Sequence, residues 1–161
     1  MKYFDLVDFD ISSLRFLPSF YGFDRIFTTK EISITSKPTV KANILEGNAD
    51  MLLKYYRKFD ILHIPSYEYS LELFAKAKEQ DKAFLVSISQ ILYNPFIMYR
   101  IKNFIKVARH YNLKLVFASL ARDEYSIRSV EEAASILSYC GLTRDQVRYG
   151  YSLLERYVKP E

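Results

Sequence analysis

Three short apolar runs constrain this chain more than anything else in it: Phe59–Pro65 (FDILHIP), Ala83–Ser89 (AFLVSIS) and Lys114–Ala118 (KLVFA). Each is apolar at nearly every position, so as a strand it must be covered on both faces. Between them lie Leu71–Lys78, where Leu71, Phe74, Ala75 and Lys78 mark successive turns, and the longer amphipathic Phe96–Tyr111. Buried strands separated by helices predict a parallel sheet with helical crossovers, an α/β fold. Upstream, Lys2–Phe9, Arg25–Thr29 and Thr39–Leu45 read as further strands, and Asn48 as the cap of a helix carrying Met51, Leu52, Tyr55 and Tyr56. Downstream, Ser129 with Glu132 forms a capping box for a helix that Gly141 ends. Thr143 with Gln146 opens another in the same way. Periodicity alone leaves two closures open, a doubly wound sheet or a barrel.

With 161 residues the chain suits one domain over 1–161. No apolar run reaches membrane-spanning length, and MKYFDLVDFD carries acids where a secretory segment is uninterrupted, so a cytoplasmic protein is expected. A single Cys140 excludes an internal disulfide and a CxxC pair and reads as a small buried hydrophobe. No GxGxxG or GxxxxGK[ST] follows any strand, and four glycines are too few for such phosphate cradles.

The net charge of +4 is unevenly placed. Residues 1–96 hold 12 Lys+Arg against 12 Asp+Glu, whereas residues 97–161 hold 11 against 7. A neutral first part and a cationic second part are the electrostatic pattern of a phosphate-binding surface. At about 100° per residue, Ile97, Ile101, Phe104, Ile105 and Ala108 gather on one side of the Phe96–Tyr111 helix. Lys102, Lys106 and Arg109 fall in a narrow sector opposite. Lys114, Arg122 and Arg128 lie just beyond. Arg100, Arg109, Arg122 and Arg128 rank as specific contacts because a guanidinium engages phosphate in a fork, whereas Lys102 and Lys106 act as point charges. Arg128 has a competing structural task, since it precedes the capping Ser129 within reach of Glu131 and Glu132.

Catalytic chemistry is poorly supplied. His63 and His110 are the only histidines, and the carboxylates Asp5, Asp8, Asp10 and Asp60 read as turn caps or as partners of nearby cations. A closed transition-metal cluster cannot be built from two unrelated histidines, and no Ser-His-Asp or Cys-His arrangement appears. His63, inside an apolar strand, reads as a satisfied core histidine. No catalytic residue and no metal ligand is expected in this chain.

From Phe59 onward the chain resembles the thirty-kilodalton-type protein subunit of archaeal and eukaryotic ribonuclease P. The resemblance rests, in order, on FDILHIP, AFLVSIS running into LYNPF, the helix with Arg100 and Arg109, VFASLAR, IRSVEEAASIL and CGLTRDQV. It covers about two-thirds of the chain. The family usually follows the strand serine with Gly-Ala, where this chain has Leu120 and Ala121 after Ser119. The N-terminal third is abbreviated against a full eight-stranded barrel. The resemblance implies a reduced or incomplete TIM-barrel-like (β/α) fold, related to metal-dependent phosphoesterase barrels but without their histidine cluster. It further implies binding to ribonuclease P RNA in support of 5′-leader removal from precursor tRNA, which the chain meets indirectly. The implied partners are a small ferredoxin-like subunit and other ribonuclease P proteins, with Mg²⁺ serving the RNA-based holoenzyme rather than being bound by this chain. Exposed members of the group Tyr93, Phe96 and Tyr99 are candidates for the ferredoxin-like partner, with core packing their default fate. Two other readings stay open: a stand-alone metal-dependent phosphoesterase, and a nonenzymatic protein-interaction module.

Overall fold

The computed structural model describes residues 1–158. Among the described residues, seven parallel strands and six α-helices make an α/β fold. Strands β1 (Phe4–Val7) and β2 (Arg25–Thr28) pair with Phe4 opposite Arg25. The other five pair in sequence order: β3 (Ile34–Thr35), β4 (Ile44–Glu46), β5 (Ile61–His63), β6 (Ala83–Ser87) and β7 (Lys114–Ala118). The segment leaving β7 then bonds back to the first strand. Leu120 N–H donates to Leu6 O at 2.9 Å and Asp8 N–H to Ala121 O at 2.8 Å.

Strand periodicity of two splits the core accordingly. Phe4, Leu6, Phe27, Ile44, Ile61, Ala83, Leu85, Val116 and Ala118, drawn from strands of both sheets, bury one face in a common cluster. Its remaining buried members are Ile32, Leu153 and Leu154, so no residue of an α-helix enters it. The alternate positions Val7, Ile26, Leu45, Leu62, Phe84, Leu115 and Phe117 face the helices. There Phe74, Phe84 and Phe104 meet edge to face at 5.1–5.6 Å, the offset that the ring quadrupole favours.

The helices begin where side chains satisfy their first N–H groups. Asn48 accepts from Met51 N at the start of α1 (Ala49–Tyr55), and Ser70 from Leu73 N at the start of α2 (Leu71–Glu79). After α3 (Ile88–Tyr93) and α4 (Ile97–His110), both expected capping boxes form: Ser129 with Glu132 for α5 (Val130–Ser138) and Thr143 with Gln146 for α6 (Arg144–Ser152). In the second half, helices occupy every connection between strands. In the first third, 3₁₀ turns at Ile11–Ser13 and Pro18–Tyr21 stand between β1 and β2 instead. Glu124, beyond β7, fastens that segment by accepting from Arg15 N at 2.7 Å and Phe16 N at 3.1 Å.

Three sequence expectations are corrected. The run Thr39–Leu45 is not one strand: Thr39, Val40 and Lys41 are exposed around a turn in which Val40 N–H bonds to Lys37 O, and only Ile44–Glu46 pairs. Their β-branched propensity has no neighbouring strand to act on. The Ala83–Ser89 strand stops at Ser87, because the α3 turn lets Ser89 N–H reach Ser119 O at 2.9 Å and Gln90 Nε2 reach Pro65 O at 2.9 Å. Asp5, finally, neither caps a turn nor meets a cation. It is 0% exposed and accepts from Ser119 N–H and Ser119 Oγ, each at 2.6 Å, joining the first strand to the end of the last.

No helix among the described residues is long and apolar enough to cross a membrane. Cys140 is buried, with its Sγ 3.6 Å from Met98 Sδ, and burial raises its thiol pKa.

Candidate nucleic-acid interface

Helix α4 follows Pro95 and is amphipathic as its spacing predicts. Ile97, Ile101, Phe104, Ile105 and Ala108 are buried, while Lys102, Lys106 and Arg109 are exposed. Arg109 and His110 occupy the last turn, where cations oppose the helix dipole. The exposed side of α4 forms one wall of an open groove of about 920 Å³. The turn between α5 and α6, with Tyr139, Cys140, Gly141 and Gln146, supplies the facing wall. Gly141 takes φ +85°, the left-handed conformation that ends a helix at least cost with glycine. Its carbonyl accepts from Arg109 Nη1 at 2.8 Å, so one cation of the groove also ties the walls together.

The seven cations singled out by sequence divide into two sets. Arg100 lies 3.5 Å from Glu68, Lys114 2.8 Å from Asp81, and Arg128 4.0 Å from Glu132. Arg128 also donates to the carbonyls of Tyr125 and Ile127, which makes it the support of a turn as well as a surface charge. Lys102, Lys106, Arg109 and Arg122 make no ion pair among the described residues. Lys102, Lys106 and Arg109 share the groove, whereas Arg122 stands apart at the carboxyl ends of the strands. Two further arginines of the basic half, Arg144 and Arg148, share the one carboxylate of Glu131, which offsets one of their two charges.

The carboxyl ends of the strands surround a second cavity of about 500 Å³, with Asp8, Glu46, His63, Gln90 and Arg122 in its lining. Both nitrogens of the buried His63 ring are engaged there, Nδ1 with Glu46 Oε2 at 3.0 Å and Nε2 with Gln90 Oε1 at 3.2 Å. The bond from His63 holds the Glu46 carboxyl below its usual range. Tyr67 completes the network, its O–H donating to Gln90 Oε1 at 2.8 Å and its oxygen accepting from Ser87 N–H at 2.9 Å. His63 thus has an acceptor oxygen beside each ring nitrogen, and it sits at a cavity wall rather than deep in the core. Asp8 accepts from Thr29 Oγ1, Asp10 caps a 3₁₀ turn through Ser12 N–H, and Asp60 is exposed. Among the described residues, no three His, Cys, Asp or Glu side chains gather as metal ligands.

Two residues beside this cavity hold an uncommon backbone conformation. Asp81 and Asn112 take left-handed φ after α2 and α4, where such short polar residues are tolerated. Tyr67 at φ +56° and Leu120 at φ +46° have no such dispensation, and each stores about 1–2 kcal/mol. The Leu120 turn is held by the Leu120 N–H bond to Leu6 and by Ser89 Oγ donating to Leu120 O at 3.2 Å.

Sequence reasoning passed over Glu46, Gln90 and Tyr67, whose only signal is their position just after strands. It also passed over Tyr139, which stands beside the helix-ending Gly141. Tyr93, Phe96 and Tyr99 are not core residues: they are 53%, 90% and 73% exposed. No protein-family model matches this chain, and a search of curated proteins finds no match.

Proposed function

We propose that this chain is an RNA-binding protein subunit of ribonuclease P of the thirty-kilodalton type, and that its strands form a reduced TIM-like barrel. The barrel reading is supported by strands that neighbour one another in sequence order, by the bonds from Leu120 and Ala121 back to β1, and by the interior shared between both sheets. The observation that carries the functional reading is the groove beside α4, where Lys102, Lys106 and Arg109 stand together without a carboxylate partner among the described residues.

Phosphates packed in a folded RNA repel one another, and each one neutralised by a side chain releases condensed counterions. The protein thereby lowers the Mg²⁺ and salt that the RNA needs to hold its active arrangement. It supplies no nucleophile; removal of the 5′ leader from precursor tRNA is the work of the RNA and the metal ions the RNA holds. The exposed Phe96 and Tyr99, with Tyr93, offer apolar area for the ferredoxin-like subunit. The cytoplasm is its proposed place.

The test is reconstitution of precursor tRNA cleavage at limiting Mg²⁺, with and without this chain. Stimulation by the chain is expected. No stimulation, or hydrolysis of a phosphoester by the protein alone, overturns the reading, and the second result favours the phosphoesterase alternative. The double variant Lys102→Ala/Lys106→Ala leaves the Arg109 tie to Gly141 in place, so its fold is retained. In a titration of RNA affinity against salt, its slope is expected to be shallower by about 1.5. An unchanged slope removes the groove from the interface.

A further inference from the structure

Tyr139, at the C-terminal cap of α5, is 71% exposed, and its hydroxyl has no hydrogen-bond partner among the described residues. It therefore serves neither the core nor a polar network. The ring lines the same groove as Lys102, Lys106 and Arg109, with Lys102 Nζ 5.2 Å from its centroid. Taking the groove as an RNA site, as proposed above, we infer that Tyr139 is a stacking platform for an unpaired base and that the groove selects single-stranded over duplex RNA.

The argument follows from what each polymer can offer. Bases in a duplex are stacked on their own neighbours and present no free face, so a duplex engages only the cations. An unpaired nucleotide offers both a phosphate for the cations and a π-face for the ring, the combination that single-strand grooves use. The geometry suits one strand. Arg109 is oriented by its bond to the Gly141 carbonyl, which leaves its other guanidinium N–H groups for phosphate, and Lys102 holds its charge over one face of the Tyr139 ring. Asn103, half-buried on the same wall, has no side-chain hydrogen bond among the described residues and supplies a donor and an acceptor for a base edge. An acidic peptide meets the same cations but gains little from the ring.

Fluorescence anisotropy with a short adenosine oligomer and a blunt duplex of matched length tests this. Wild type is expected to bind the single strand more tightly. Tyr139→Ala should lose about tenfold or more of that affinity with its salt slope unchanged, and its duplex affinity should stay unaltered. Tyr139→Phe keeps the π-face and should retain single-strand binding. RNA binding that is indifferent to Tyr139→Ala, equal losses on single strand and duplex, or equally effective displacement of the oligomer by polyglutamate overturns the inference while leaving the broader reading intact. Absence of any RNA binding by the wild type overturns both.

Discussion

Replacing Gly150 by alanine is expected to remove a large share of the protein's stability, although alanine is the better helix former. In an exposed helix the exchange would stabilise by about 1 kcal/mol. Here a Cβ on Gly150 would lie 2.2 and 2.5 Å from two ring carbons of Phe117 and 2.9 Å from the carbonyl oxygen of Leu115. The ring is buried among the strand and helix side chains and cannot swing clear, and the carbonyl belongs to the β7 backbone. Helix α6 must therefore move away from β7, opening voids around Val147 and Tyr151, which are both 0% exposed. Overpacking of this kind costs about 3 kcal/mol or more, a large share of the stability of a domain this size. Urea denaturation measures it as a lower midpoint. Adding Phe117→Leu should restore part of the loss by relieving the ring contact, and no restoration would mean that the backbone contact dominates.

Asp5 sets the second large effect. Burial raises its pKa from 3.8 to about 6, against the lowering effect of the hydrogen bonds from Ser119 and Leu6. Its folded pKa lies above its unfolded one, so the native state takes up the proton first. The contribution of Asp5 to stability is then greatest below about pH 4, is lost as pH rises to about 6, and is level beyond, with a span of about 3 kcal/mol. Asp5→Asn keeps an oxygen for Ser119 N–H and an amide for Ser119 Oγ, and it cannot ionise. Its stability is expected to lose this step and to exceed wild type at pH 7. Asp5→Ala leaves the buried Ser119 donors without their acceptor and is expected to lose about 3 kcal/mol. Chemical denaturation from pH 4 to 8 reads both variants. A wild-type step of the opposite sign in this window would show that Asp5 ionises more readily than its burial indicates.

What could be read from sequence was local. Asn48, Ser129 with Glu132, and Thr143 with Gln146 mark helix starts because each cap bonds only three residues away. Lys114–Ala118 appears at its full extent because turn residues bound it on both sides. The cationic sector of α4 follows from helix period alone. Failures come where distant partners decide. Ile88 and Ser89 look like the end of a strand until Ser119 and Pro65 offer hydrogen bonds that only a helical turn can reach. Arg100 and Lys114 stand in one cationic set with Lys102 and Lys106 until Glu68 and Asp81 are brought beside them. Tyr139 gains meaning only from the helix across the groove. The short β3 at Ile34–Thr35 was not legible, since two residues carry no period.

The seal between first and last strands has a bearing on how the molecule is born. Asp5 finds its partner 114 positions downstream, and the cluster beneath Phe4 and Leu6 is filled by Leu153 and Leu154. While a ribosome is still making the intervening helices, the nascent N-terminus holds oily strands with nothing to cover them. Such late-arriving contacts slow folding and lengthen exposure to misassembly. The order in which this polypeptide emerges thus separates its first strand from the residues that cover it.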